Sequence, residues 1–232
     1  MCKLKSAIIL KDRIFMPEYD SHSDMLNELG IKDDYLGASK KFVRAELLPT
    51  DDDVFSDIDR WVFKVDQDIT PEWFSVEEYK PRMVDAVKEW AKTHIHIGIN
   101  GLEIDGGRNH YIRDCKDVTI ENSTVTAWGN STVTAWENST VTAWGNSTVT
   151  AWGNSTVTAR ENSTVTAWGN STVTAWGNST VTNDHFWVWR KQKSLILADN
   201  ATFKDKIGKV IYQAGNYKLI AVESGKEVGE TK

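Results

Sequence analysis

No apolar run in this sequence approaches the ~18 residues needed to cross a bilayer, and no basic-then-apolar leader opens it. A cytoplasmic protein with no membrane partner is the expectation. Cysteine is scarce: Cys2 and Cys115 are too few for a disulfide framework and lack the paired spacing of a zinc site. There is also no Gly-rich phosphate loop, no nucleophile elbow and no Cys/His pair with supporting context. Catalytic residues and cofactors are therefore not expected. Proline is rare, with 4 Pro against 11 Trp in 232 residues. That imbalance has one source, an internal repeat.

The pentapeptide Asn-Ser-Thr-Val-Thr recurs from Asn122 to Asn178, always eight residues apart. The full unit is N-S-T-V-T-A-W-G. Its seventh place holds Trp128, Trp136, Trp144, Trp152, Trp168 and Trp176, with Arg160 and Asp184 as replacements. Its eighth place holds Gly, or Glu at Glu137 and Glu161. A period this short marks a solenoid. Within the unit, Ser-Thr-Val-Thr-Ala is rich in β-branched residues and alternates with period two, as a strand does. The Gly-Asn or Glu-Asn pair supplies a bend, because Gly and Asn tolerate left-handed backbone angles.

One octapeptide is too short to close a coil around even a thin core. Two must make one winding of sixteen residues, so the eight units predict about four coils. Ser, Val and Ala are expected inside and the two Thr outside, because burying Thr would leave two more hydroxyls per unit in need of partners. Identical residues then stack on identical residues along the rod, Asn on Asn, Thr on Thr and Trp on alternate Trp.

The Ser-Thr-x-Thr-Ala core in paired octapeptides resembles the sixteen-residue coil of bacterial ice nucleation proteins. The outward Thr-x-Thr row is similar to that of β-solenoid antifreeze proteins. The likeness covers residues 122–185. It implies a β-solenoid whose Thr rows bind ice or ordered water. The matching positions are Thr124 with Thr126, Thr132 with Thr134, Thr140 with Thr142, Thr148 with Thr150, Thr156 with Thr158, Thr164 with Thr166, Thr172 with Thr174, and Thr180 with Thr182. The nucleation repeats carry a Gly and a periodic Tyr where this unit has Trp then Gly or Glu, and they use many more coils. A face of this size is too small to nucleate ice efficiently, whereas inhibiting crystal growth needs less area.

Plainer readings stand beside these. Outward Thr is a good, soluble strand residue without any ligand. The Trp rows pack at the corners, or present an aromatic ladder to sugar rings with Arg160 as one cation. The Asn-Ser-Thr triplets match the glycosylation signal, which has no consequence for a chain that stays in the cytoplasm.

The flanks complete an expected order of α+β head (1–92), hairpin and N-terminal cap (93–121), β-solenoid (122–184), and C-terminal β cap with a frayed tail (185–232). Phe186-Trp187-Val188-Trp189 is suited to plug the open end. Leu195–Leu197, Val210–Tyr212 and Leu219–Val222 read as short strands. In the head, strands are expected at Ser6–Leu10, Arg13–Met16, Lys41–Leu47 and Trp61–Val65. A short helix follows Asp20-Ser21, a helix start lies at Thr70-Pro71-Glu72, and the main helix spans about Arg82 to Thr93.

Two constellations carry potential chemistry. His94 and His96 are expected on one face of a strand from Thr93 to Ile99, which Asn100-Gly101 turns back as a hairpin; with Glu103 and His110 they form a weak metal-ligand candidate. The acidic cluster Asp51, Asp52, Asp53, Asp57, Asp59, Asp66 and Asp68 lacks the calcium-loop pattern and reads as a solvated loop. Net charge is −6 overall. The positive C-terminal segment, with Arg190, Lys191 and Lys193, reads as a solvated face, so nucleic acid is not an expected partner. The functional expectation is a non-enzymatic spacer or display rod. The alternatives are a binder of ice, ordered water or glycan, and a metal-dependent enzyme in the head region using His94 and His96; edges or faces of the solenoid offer a route to homo-oligomers.

Overall fold

Backbone pairing divides the chain into two compact units, Met1–Ile95 and His96–Lys232. The computed structural model describes residues 5–32, 41–183, 195–197, 201–205 and 210–213.

The first unit is α+β. Strands β1 (Lys5–Ile9) and β2 (Ile14–Phe15) precede helix α1 (His22–Glu28), followed by β3 (Val43–Leu48), β4 (Val62–Val65) and helix α2 (Val76–His94). The sheet runs β2-β1-β3-β4 and is antiparallel throughout. Ser21 caps α1 by accepting the Asp24 N–H at 3.3 Å. Gly30, at φ 65°, releases the chain beyond its end, where the Ile31 N–H reaches back to the Leu26 carbonyl at 2.9 Å. Met25 and Leu26 of α1 pack on Ile8 and Phe42.

Helix α2 starts before Pro81 rather than after it. Ser75 accepts the Glu78 N–H at 3.2 Å, half of a capping box that satisfies a first-turn donor. The early turns also place Tyr79 in the buried stripe with Met83, Val84, Val87 and Trp90. That burial offsets the single backbone bond which Pro81 cannot make. The Thr70-Pro71-Glu72 signal yields only a turn, closed by the Phe74 N–H on the Pro71 carbonyl at 3.0 Å.

The second unit is a parallel β-solenoid of about 6 turns. Before the repeat come β5 (Ile95–Ile97), β6 (Glu103–Asp105), β7 (His110–Arg113) and β8 (Val118–Glu121). The repeat supplies β9 (Thr124–Trp128), β10 (Thr132–Trp136), β11 (Thr140–Ala143), β12 (Thr148–Ala151), β13 (Thr156–Ala159), β14 (Thr164–Ala167), β15 (Thr172–Ala175) and β16 (Thr180–Asn183). Beyond it lie β17 (Leu195–Leu197), β18 (Thr202–Asp205) and β19 (Val210–Gln213). Odd strands from β5 to β17 form one sheet, and even strands from β6 to β18, with β19, form the other. Successive octapeptides therefore alternate between two sheets, and like residues pair in register, as Val133 with Val149 and Val141 with Val157.

The coil count exceeds the expected four because the flanks join the stack. Tyr111 pairs with Thr126, Thr119 with Thr134, and Phe203 with Val181, although none of these flanking strands carries the octapeptide. The expected hairpin at Asn100-Gly101 is absent for the same reason: β5 and β6 lie in different sheets. Asn-Gly there turns a solenoid corner, with Gly101 at φ 72°. His94 closes α2 instead of opening a strand. Among the described residues of the C-terminal segment, β17 and β18 continue the parallel stack and β19 reverses direction. The Phe186–Trp189 plug and the Leu219–Val222 strand lie outside the described residues.

The solenoid core follows from the alternation. Val and Ala of the repeat units are buried to within 3% exposure, and every repeat Ser is also buried. The Ser hydroxyls do not go unmatched. Ser139 Oγ donates to the Trp136 carbonyl at 2.6 Å and Ser147 Oγ to the Trp144 carbonyl at 2.8 Å, a bond across the corner that recurs along the repeat. A satisfied buried hydroxyl removes most of its desolvation penalty.

Candidate functional site

The outward positions form two lattices. On the odd sheet, Thr124, Thr140, Thr156 and Thr172 stack in one column, and Thr126, Thr142, Thr158 and Thr174 in the next. On the even sheet the columns are Thr132, Thr148, Thr164, Thr180 and Thr134, Thr150, Thr166, Thr182. None of these side chains is buried. Strand geometry sets the mesh at about 4.8 Å between rungs and roughly 6.7 Å between neighbouring columns.

The two faces are not equivalent at their ends. On the even sheet, Thr119 pairs with Thr134 and Thr202 with Thr180, so each column gains a fifth Thr from non-repeat sequence. On the odd sheet, Tyr111 and Ile196 bracket the column of Thr126 and Thr174. Neither Thr119 nor Thr202 stands in an Asn-Ser-Thr unit, so repeat counting alone misses both. The signal was the alternation in Val118-Thr119-Ile120 and Ala201-Thr202-Phe203.

At the corners the Trp side chains stack along the rod. The Trp136 and Trp152 rings are 5.2 Å apart at 9°, and Trp152 and Trp168 are 4.7 Å apart at 7°. The other row interposes Arg160, whose guanidinium lies 4.8 Å from the Trp144 ring and 5.9 Å from Trp176. A planar cation takes the place of an indole there. Trp128 continues that row onto Tyr111 at 6.1 Å. Beside the rings, Asn side chains sixteen residues apart face each other at 3.3 to 3.5 Å, as Asn138 to Asn122 and Asn170 to Asn154.

The histidines divide between the two units. His94 stacks on Trp90 at 4.6 Å, and its Nε2 lies 2.8 Å from the Glu18 carboxylate. His96 is buried in the solenoid unit and stacks with His110 at 6.4 Å. Glu103 sits on β6, in the sheet opposite His96 on β5. Of the acidic cluster, Asp59 holds Lys88 at 2.6 Å. That hydrogen bond raises the Lys88 pKa.

A further polar cluster lies in the first unit. Lys5, fully buried, donates to the Pro17 carbonyl at 3.0 Å and lies 5.0 Å above the Trp90 ring. Its carboxylate partner Asp20 has a pKa raised by burial, against the opposing pull of Lys5. The ligand atoms of His22, Glu46 and Asp66 gather within 4.8 Å of one another.

Comparison with protein-family models, with curated proteins and with solved structures returns no match. Among the described residues, no helix is long and apolar enough to cross a membrane.

Proposed function

We propose that the chain is a non-catalytic display scaffold whose solenoid holds two regular Thr-lined faces in fixed register. The observation that carries this reading is the in-register stacking of identical outward residues on both sheets. Each coil contacts only its neighbours, so stability accumulates by addition of like units and the surface tolerates changes of length. Inserting one further sixteen-residue coil after Gly153 tests this. A soluble protein with an undiminished unfolding midpoint is expected. Loss of soluble protein on such insertion contradicts the reading.

A second reading, binding of ice or ordered water, is favoured by Thr119 and Thr202. Thr persists in those two columns where the sequence is not a copy of the repeat. It also agrees with the resemblance to Thr-x-Thr antifreeze solenoids. If this is the activity, replacing Thr134, Thr150 and Thr166 with Tyr abolishes ice-crystal shaping, and the same change at Thr142 and Thr158 has less effect. Wild-type protein that leaves crystal growth unaltered removes this reading. Glycan stacking has less support, because the indole faces of Trp136, Trp152 and Trp168 are turned onto each other.

A further inference from the structure

We infer that the first unit holds a binding site for a divalent transition-metal ion, formed by His22, Glu46 and Asp66. The three side chains come from three elements: His22 from the first residue of α1, Glu46 from the middle of β3, and Asp66 from just beyond β4. One ligand atom from each lies within 4.8 Å of the other two. His22 Nδ1 and Asp66 Oδ2 are 3.6 Å apart. Tetrahedral zinc with bonds of ~2.0–2.1 Å requires about 3.4 Å between ligand atoms. The His22–Asp66 pair is already close to that spacing, and binding an ion draws the Glu46 oxygen in to match it.

The orientation of His22 is the second observation. Its Nε2 lies 3.2 Å from the Ala45 carbonyl oxygen. A carbonyl only accepts, so Nε2 carries the hydrogen, and Nδ1 is the ring atom on the side of the Asp66 carboxylate. Anchoring of the distal ring nitrogen on a backbone carbonyl is also how metal-ligating histidines are held.

Burial and charge point the same way. His22 and Glu46 are each 5% exposed, so Glu46 is a carboxylate largely withdrawn from water. Lys64 lies 3.8 Å from Glu46 and 3.7 Å from Asp66, on a side chain 54% exposed. Lys64 stands in for the metal at long range and is free to swing away. Ser6 pairs with Glu46 across β1 and β3, on the same face of the sheet. Its buried hydroxyl has no hydrogen-bond partner, a group that a metal-bound water would satisfy. Imidazole with two carboxylates suits Zn²⁺ and its neighbours, and three protein ligands leave one coordination position open.

The test uses the full chain, stripped with a chelator and titrated with Zn²⁺ against a chromophoric competitor, with Co²⁺ as the spectroscopic probe. One saturable ion per chain is expected, with visible Co²⁺ bands of tetrahedral intensity. Asp66→Asn and His22→Gln weaken binding by ~10-fold or more. Lys64→Gln tightens it several-fold by removing the competing ammonium. Asp66 and Lys64 are surface-accessible, so their variants keep the fold and remain informative if His22→Gln does not fold. His94→Gln and His96→Gln leave affinity unchanged. No stoichiometric binding, or binding indifferent to Asp66→Asn and Lys64→Gln, overturns the site and leaves His22 and Asp66 as a structural contact only.

Discussion

Val149 and Thr150 are adjacent, nearly equal in size and opposite in environment: Val149 is fully buried and Thr150 is part of the outer lattice. Val149→Thr places a hydroxyl in an apolar interior at a cost of ~1–3 kcal/mol. Thr150→Val on the wet face stays within about 0.5 kcal/mol of wild type. Denaturant unfolding of the two variants compares them directly, and equal losses would contradict the assignment of faces. This alternation was legible because period-two patterning and β-branching give the same answer in every copy. The cluster of His22, Glu46 and Asp66 was not. Its members are far apart in sequence, follow no ligand spacing and meet only through the pairing of β3 with β4 and the docking of α1. Tyr19 carries the clearest pH signature. Its hydrogen bond to the Glu28 carboxylate pushes the phenol up to about 12. The folded pKa lies above the ordinary value of ~10, so any stability from this pair is complete below that value and is lost as pH rises towards 12. Spectroscopic titration should show one late-ionising tyrosine that disappears in Tyr19→Phe.

Corners are the element on which the winding depends. Gly145 adopts φ 71°, and a Cβ there would stand 2.9 Å from the Gly129 carbonyl oxygen of the preceding rung. Gly145→Ala therefore combines left-handed strain with a backbone clash, and a loss of ~1–2 kcal/mol is expected in thermal unfolding. An unchanged midpoint would mean that the corners do not stack as described. Glu161 occupies a similar left-handed position at φ 57°, but its carboxylate accepts the Gly145 N–H at 2.9 Å. That bond offsets part of its strain. The sequence signalled the bend through Gly-Asn and Glu-Asn, whereas Asn100-Gly101 misled because the same residues serve both a hairpin and a solenoid corner. Helix α2 shows the reverse case, in which a capping pair at Ser75 and Glu78 outweighs a proline placed inside the helix.

At the scale of the whole molecule, the repeat explains the number of coils only in part. Strands at both ends lack the octapeptide and still enter the stack, because Ile112, Ile120, Val118 and Phe203 fill the same interior rows as Val and Ala. A pattern of identity finds the copies; a pattern of burial is needed to find the rungs that have diverged. The central claim is that two octapeptides make one winding. It is tested most directly by comparing the unfolding midpoints of two deletions, one removing residues 138–153 and one removing residues 146–153. Removal of both units takes out a whole coil and keeps each remaining strand in its own sheet. Removal of one unit transfers every later strand to the opposite sheet and rotates the C-terminal coil by half a turn. A cooperative transition near the wild-type midpoint for the longer deletion, with a large loss for the shorter one, is the expected result. Equal stability of the two proteins, or greater stability of the shorter deletion, would contradict the account.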